Sequence, residues 1–171
     1  MTKIRVKSLA HAVAQTKSMD LKQKEAEFDR ILKEQPNLLG SVIVLHNMGR
    51  SYEEIDVLLN LLLVSFMALK HGKIQIETVS EKLQVRELDR YAGHIKFLDG
   101  LSKKDRGKAM ADYFDSHNEK ILLVFATDEM NNAGFPNIEE ESAKYLMSCG
   151  INIPRRCIKT WNDSSLILQN K

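Results

Sequence analysis

The residues best suited to acid–base or metal chemistry are scattered along this sequence. The five histidines are His11, His46, His71, His94 and His117. None lies four residues from another, which is the spacing that puts two metal ligands on one face of a helix. Cys149 and Cys157 have seven residues between them, which matches neither a redox pair nor closely spaced zinc ligands. We therefore predict no metal site and no cofactor.

Local motifs for catalysis are also absent. The sequence contains no Walker loop, no GxGxxG fingerprint and no GxSxG elbow. This absence weighs only weakly against an enzyme, because catalytic groups can assemble from distant positions. No residue can be named as catalytic, and we favour a binding protein over an enzyme whose site is assembled across helices.

The densest polar group lies on one side of a predicted helix over residues 79–98. Its members are Arg86, Glu87, Arg90 and His94. Helical spacing brings Arg90 close to both Glu87 and His94. The group has two interpretations, a site for an anion or acidic partner, and a solvated face with an intrahelical ion pair. The solvated face is favoured.

A basic cluster follows at the start of the next predicted helix. It consists of Lys103, Lys104, Arg106 and Lys108, and only Asp105 offsets its charge. Such a cluster can contact nucleic-acid phosphates, although charges at a helix start are more often simply solvated. The nearby aromatic residues fall on apolar faces and do not form a platform for stacking bases. Nucleic acid is therefore a possible partner that we do not favour.

The predicted central helix spans Ser51 to Gly72. Ser51 and Glu54 form a capping box at its start, and Gly72 is suited to a left-handed closing residue. The fifteen residues from Ile55 to Leu69 are apolar almost all round, which is typical of a helix enclosed by others. They rise about 22 Å, short of the roughly 30 Å that a membrane span must cross. We predict no membrane association.

Two polar residues interrupt this central helix. Asp56 and Asn60 share a thin stripe with Glu53. If buried, they need hydrogen-bond partners. We expect them to fix the register of the helix against a neighbouring helix or a second subunit.

Further helices are indicated by their capping residues. They run from Ser18 or Asp20 to about Gln35, from a Thr78–Glu81 capping box to about Leu98, from Ser102 onward, and from Asn137 to Gly150. Residues 38–48 and 119–130 can be read as helix or as strand, and helix is favoured in both. The prediction is an all-α helical bundle, and the alternative is an α/β fold with a small parallel sheet.

Composition sets the wider limits. The chain has 171 residues, of which 43% are apolar and 28% charged, and its net charge is +2. These values suit one globular domain. We divide the chain into a basic N-terminal arm over 1–17, a helical domain over 18–150 and a C-terminal extension over 151–171. No secretion signal is evident and the cysteines suit a reducing compartment, so we expect a cytoplasmic protein.

Together these features predict a non-enzymatic helical interaction module that associates with itself. The main reason is that the central helix and the 79–98 helix have more apolar surface than one neighbour each can cover. A homodimer with an isologous interface is the expected form. A further protein partner is possible, and a nucleic-acid-associated regulator is the alternative.

Overall fold

The structure is a computed structural model that describes residues 4–74, 77–115 and 119–135. These ranges contain helices and turns but no strand. The helices are α1 (Val6–Ser18), α2 (Leu21–Glu34), α3 (Pro36–Asn47), α4 (Tyr52–His71), α5 (Glu81–Asp99), α6 (Lys103–Asp115) and α7 (Lys120–Asn132). The all-α prediction is confirmed, and the runs 38–48 and 119–130 are helical. The predicted helix after Asn137 and the predicted C-terminal extension lie outside the described residues.

Helix α4 is the centre of the fold. All nine residues from Leu61 to Leu69 are buried. α1 lies along α4 in the most extensive helix pair, and α2, α3 and α7 also contact it. The predicted capping box is present: Glu54 N–H donates to Ser51 Oγ at 3.2 Å and Ser51 N–H donates to Glu54 Oε2 at 2.9 Å. The enclosed central helix is thus confirmed, because its apolar circumference is covered by four neighbours.

Most of the predicted basic N-terminal arm is helical in the structure. From Val6 onward it is helix α1, and Leu9, Ala12 and Thr16 are buried. These residues recur every three to four positions, so they form one face that packs on α4. Ile4 is also buried, and its backbone N–H donates to the Glu119 carboxylate at the start of α7 at 3.0 Å. The apolar face of α1 therefore packs on α4, although residues 1–17 carry four basic side chains.

The ends of two helices differ from the predicted positions. Pro36 is the first residue of α3, where its missing N–H costs no helical hydrogen bond. α5 is capped by Ser80, whose hydroxyl accepts from Leu83 N–H at 3.3 Å, and not by Thr78. The Thr78 hydroxyl donates instead to Glu34 O at 3.1 Å. This bond places Thr78 against the end of α2, close to where α3 begins.

Buried Gln35 holds the junction of α2 and α3 together. Its side-chain Nε2 donates to Glu77 O at 2.8 Å, and its Oε1 accepts from Val79 N–H at 2.9 Å. Asn37 lies inside α3 and donates from Nδ2 to Val79 O at 2.8 Å. These bonds satisfy backbone groups that no regular structure pairs, and they fix the chain segment that leads into α5.

Candidate functional site

The predicted polar group on α5 is divided by the structure. Arg86 and Arg90 are exposed, whereas Glu87 is fully buried and His94 is half-buried. Glu87 and His94 are seven residues apart and so share one side of the helix. The His94 ring stacks on Tyr113 of α6 at a centroid distance of 4.3 Å. The solvated-face interpretation fits Arg86 and Arg90 and is wrong for the other two, which lie on the side of α5 that meets α6.

The predicted basic cluster lies in the first two turns of α6. Lys104, Arg106 and Lys108 are exposed, and Lys103 is the first helical residue. Arg106 is engaged within the chain, because its Nε donates to Leu98 O near the end of α5 at 3.2 Å. Lys104 and Lys108, four residues apart, remain side by side on the surface. Their spacing fits a solvated helix face at least as well as a phosphate-binding surface.

The polar stripe on α4 is placed differently from the prediction. Glu53 and Asp56 are exposed and Asn60 is half-buried, so none of them is a buried polar group in need of a partner. The first turns of α4 have one solvent-facing side, and this stripe occupies it. Hydrogen bonds from its own backbone and from the Ser51 side chain lower the pKa of the Glu53 carboxyl. The fully buried polar residue of α4 is Ser65.

Helix α3 presents an unexpected apolar surface, which we call the outer face of α3. It consists of the exposed residues Gly40, Ile43, Val44, Asn47 and Met48. Ile43 is 53% exposed and Val44 is 47% exposed. The opposite side of the helix carries the buried residues Leu38, Leu39, Val42 and Leu45. The helix is therefore apolar on both sides but covered on only one.

An aromatic residue extends the outer face of α3 toward α4. Tyr52, the first residue of α4, is 71% exposed and stacks on His46 at a centroid distance of 4.5 Å. The other large exposed apolar side chains of the described residues lie on several different helices, at Val6, Leu21, Leu32, Val85, Phe97 and Val124. Only on the outer face of α3, among the described residues, do several large exposed apolar side chains lie next to one another, at Ile43, Val44 and Met48.

Sequence reasoning missed this surface because the α3 sequence, PNLLGSVIVLHN, has apolar residues on more than one side and does not show which side is covered. One signal was available, since none of its twelve residues carries a carboxylate, ammonium or guanidinium group. A surface helix normally has a charged side facing water. A charge-free helix that is only half covered is unusual for that reason.

The described residues show neither a metal site nor a membrane span. No three His, Cys, Asp or Glu side chains converge among them. None of the described helices combines the length and the apolar character needed to cross a bilayer. Comparisons with models of protein families, with curated proteins and with solved structures find no match.

Proposed function

We propose that this protein is a non-enzymatic interaction module that binds a second copy of itself through the outer face of α3. The observation that carries the proposal is the pair of half-exposed side chains Ile43 and Val44 on a helix without a charged residue. Exposed apolar patches of this kind mark interaction sites on soluble proteins.

Self-association is favoured over a charged partner by the electrostatics of the helix. A two-fold axis places the same residues of both copies opposite each other. A charged face would then meet its own charge and be repelled. The outer face of α3 has no Asp, Glu, Lys or Arg side chain, so electrostatic repulsion does not oppose the pairing of two copies.

The shape of the face also suits a helix pair. Ile43 and Val44 are β-branched and lose little side-chain freedom when they become buried. A Cβ atom at Gly40 would meet nothing within 4 Å, so a neighbouring backbone can approach closely there. Complete burial of one such side chain stabilises by about 1.5–3 kcal/mol, and roughly half of that remains available at each half-exposed position.

The proposed interface differs from the one that the sequence suggested. The chain's own helices cover residues Leu61 to Leu69, so α4 has no apolar face left for a second subunit. The apolar surface of α4 from Leu61 to Leu69 therefore does not support the proposed self-association. The outer face of α3 replaces it as the surface that supports self-association.

A charge placed on this face should separate the two copies. We expect the wild-type protein to show twice the monomer mass in light scattering at micromolar concentration, and Val44→Lys to show the monomer mass. In a two-fold dimer the substitution places two ammonium groups near the axis. Because Val44 is half-exposed, the monomer should keep its helical circular dichroism spectrum.

The matched control is Val124→Lys on α7, since Val124 is 49% exposed, close to the exposed fraction of Val44. This variant should remain dimeric. A wild-type protein that stays monomeric at every accessible concentration would contradict the proposal. Equal dissociation of the two lysine variants would show that the interface is not α3.

A further inference from the structure

A basic pocket lies where the start of α1 meets the end of α4. Its volume is about 350 Å³. It is lined by Arg5, Lys7, Ser8, His11, His71, Gly72 and Lys73. Three of these side chains carry a permanent positive charge, two are imidazoles, and none is a carboxylate. We call it the α1–α4 pocket.

Neighbouring acidic groups do not neutralise these charges. Among the described residues, no carboxylate forms an ion pair with Arg5, Lys7 or Lys73. The adjacent Lys70 is different, because its Nζ lies 3.3 Å from Glu27 Oε2 and 5.4 Å from the Phe66 ring centroid. Lys70, beside the pocket, is thus paired with a carboxylate. The cationic side chains that line the pocket remain available to an external anion.

The amino end of α1 adds to the positive potential, whereas the carboxyl end of α4 carries a partial negative charge. Arg5 is the N-cap of α1, has an extended backbone and forms no side-chain cap. The first turn of α1 has no acidic residue. The amino end of a helix carries a partial positive charge that aspartate or glutamate usually offsets. Here Arg5 and Lys7 occupy that end, which increases the positive potential.

Two histidines form one wall of the pocket. The rings of His11 and His71 stack at a centroid distance of 4.2 Å and an interplanar angle of 12°. His71 Nε2 lies 2.8 Å from Gln15 Oε1, and since an amide oxygen only accepts, Nε2 is the donor. Burial, His11 and Lys70 lower the pKa of His71. A bound anion would oppose this effect and favour the imidazolium.

Lys73 has a backbone conformation that normally favours glycine. It closes α4 with a φ of 54°, its N–H donates to Lys70 O at 3.0 Å, and Ile74 N–H donates to Leu69 O at 3.0 Å. The residues that close α3 and α7 in the same conformation are Gly49 and Gly134. A lysine is less stable there than a glycine, because its Cβ crowds the backbone. The helix dipole favours a cation at the carboxyl end of α4, and the side chain of Lys73 also lines the pocket.

We propose that the α1–α4 pocket binds a small molecule that carries a dianionic phosphate group. A guanidinium can donate two parallel hydrogen bonds to phosphate, and ammonium groups supply further point charges. The pocket volume falls in the range of small-molecule sites, about 300–1,000 Å³. A polymer would be expected to follow an extended basic stripe instead.

The direct test is a titration of the full chain with inorganic phosphate, followed by NMR signals of the histidine rings. We expect saturable shifts of His11 and His71, and no comparable shifts on addition of chloride at equal ionic strength. Lys73→Gly should weaken phosphate binding about tenfold, the effect of one lost charge-assisted bond. The same variant should raise the melting temperature by about 2–4 °C, because glycine relieves the strain. A misfolded variant would not show weaker phosphate binding together with a higher melting temperature.

A matched control removes an equal charge elsewhere. Lys108 is an exposed lysine of α6, and Lys108→Ala should leave phosphate binding within twofold of wild type. Equal losses in the two variants would overturn the proposal, since general attraction by net charge would explain them. Absence of saturable binding at millimolar phosphate would overturn it as well.

Sulfate can distinguish a pH effect that comes from histidine protonation from one that comes from protonation of the ligand. It remains dianionic between about pH 5 and 8, whereas a phosphate group gains a proton near pH 6. The charged groups around the histidines are Arg5 and Lys7 on α1, and Lys70 and Lys73 at the end of α4. Glu27 of α2 reaches this area only through Lys70.

Because burial, His11 and Lys70 lower the pKa of His71 and a bound anion favours its imidazolium, sulfate should bind more tightly at pH 5.5 than at pH 7.5. The double variant His11→Gln, His71→Gln should lose this dependence. A dependence that survives in the double variant would contradict the role of the histidines.

A single-stranded oligonucleotide distinguishes a small ligand from a polymer. We expect weak binding that inorganic phosphate displaces. Tight oligonucleotide binding that phosphate does not displace would overturn the small-molecule proposal. None of these variants lies on the outer face of α3, so the oligomeric state measured by light scattering remains a separate readout.

Discussion

At the residue scale, every histidine in the described part of the chain lies against another ring. His11 stacks on His71, His46 on Tyr52, and His94 on Tyr113. Each pair joins two different helices, namely α1 with α4, α3 with α4, and α5 with α6. These contacts explain why the histidines are scattered in sequence, since each marks a helix junction. The spacing of histidines along the chain could not have shown this, because the stacking partners are set by tertiary packing.

The stability of the protein should depend on pH through His71. The pKa of His71 is lowered in the folded protein by burial and by the nearby His11 and Lys70. Between this lowered value and the ordinary value near 6.5, the unfolded chain binds more protons than the folded one. The free energy of unfolding should therefore fall as the pH drops from 7 toward 5. His71→Gln should reduce this slope and retain an amide that can bond to Gln15.

Urea denaturation at several pH values measures this effect. Comparing His71→Gln with wild type removes the contribution of carboxylates, which is common to both. Identical slopes for wild type and His71→Gln would show that the lowered pKa does not contribute to stability.

At the element scale, the structure depends most on α4. Leu62 lies in the buried run of this helix and has no exposed surface. Leu62→Ala should lower the free energy of unfolding by about 2–5 kcal/mol, because it removes buried methyl groups and leaves a cavity. Chemical denaturation is the measurement. A loss below about 1 kcal/mol would mean that α4 is not enclosed as described.

Leu21→Ala provides the matched control. Leu21 is the first residue of α2 and is 73% exposed. The same chemical change should therefore cost no more than about 0.5 kcal/mol, as for most surface substitutions. Comparable losses at the two positions would show that the effect at Leu62 reflects helix propensity and not burial.

The helices themselves were predictable where the signal is local. The Ser51–Glu54 box depends on two residue types at a fixed spacing, and it forms as expected. Near Thr78 the same reasoning fails, because Ser80 is an equally good cap and tertiary bonds to Glu34 engage Thr78. At the end of α4, Gly72 has a φ of −74° and Lys73 takes the left-handed position. Local sequence does not show which of two adjacent candidates is used.

At the scale of the whole molecule, the sequence did not predict which distant segments pack together. The fold class followed from helix signals, but the docking of α1 on α4 joins segments about fifty residues apart. The α1–α4 pocket likewise brings Arg5 next to Lys73. Arg5 belonged to the predicted basic N-terminal arm, but Lys73 belonged to no group that the sequence analysis identified. Charge runs drew attention to Lys103–Lys108 instead, where Arg106 donates to Leu98 O and serves packing.

Cooperative unfolding of the whole molecule should depend on the packing of α1 against α4. Deleting residues 1–18 should expose the apolar side of α4 that α1 covers, and remove the bond from Ile4 N–H to Glu119. We expect the shortened chain to bind a hydrophobic dye and to lose cooperative thermal unfolding, because no other described helix covers α4 as extensively. The control is Val6→Ser, which changes an exposed residue of α1 and should leave the melting transition intact.

A shortened chain that melts as cooperatively as wild type would contradict this view of α1. It would mean that the surface buried between α1 and α4 contributes little to the folded state. Circular dichroism followed during heating, together with dye fluorescence, distinguishes the two outcomes.

The position of α1 also has a consequence for biosynthesis. α1 is translated before α4, and the helix that covers its apolar face is completed 53 residues after Ser18, at His71. At about 5–20 residues per second, this interval lasts roughly 3–11 s. During it, Leu9 and Ala12 have no partner and are accessible to chaperones. Nascent chains arrested before Tyr52 should therefore have a protease-sensitive N-terminal segment that becomes resistant once α4 is complete.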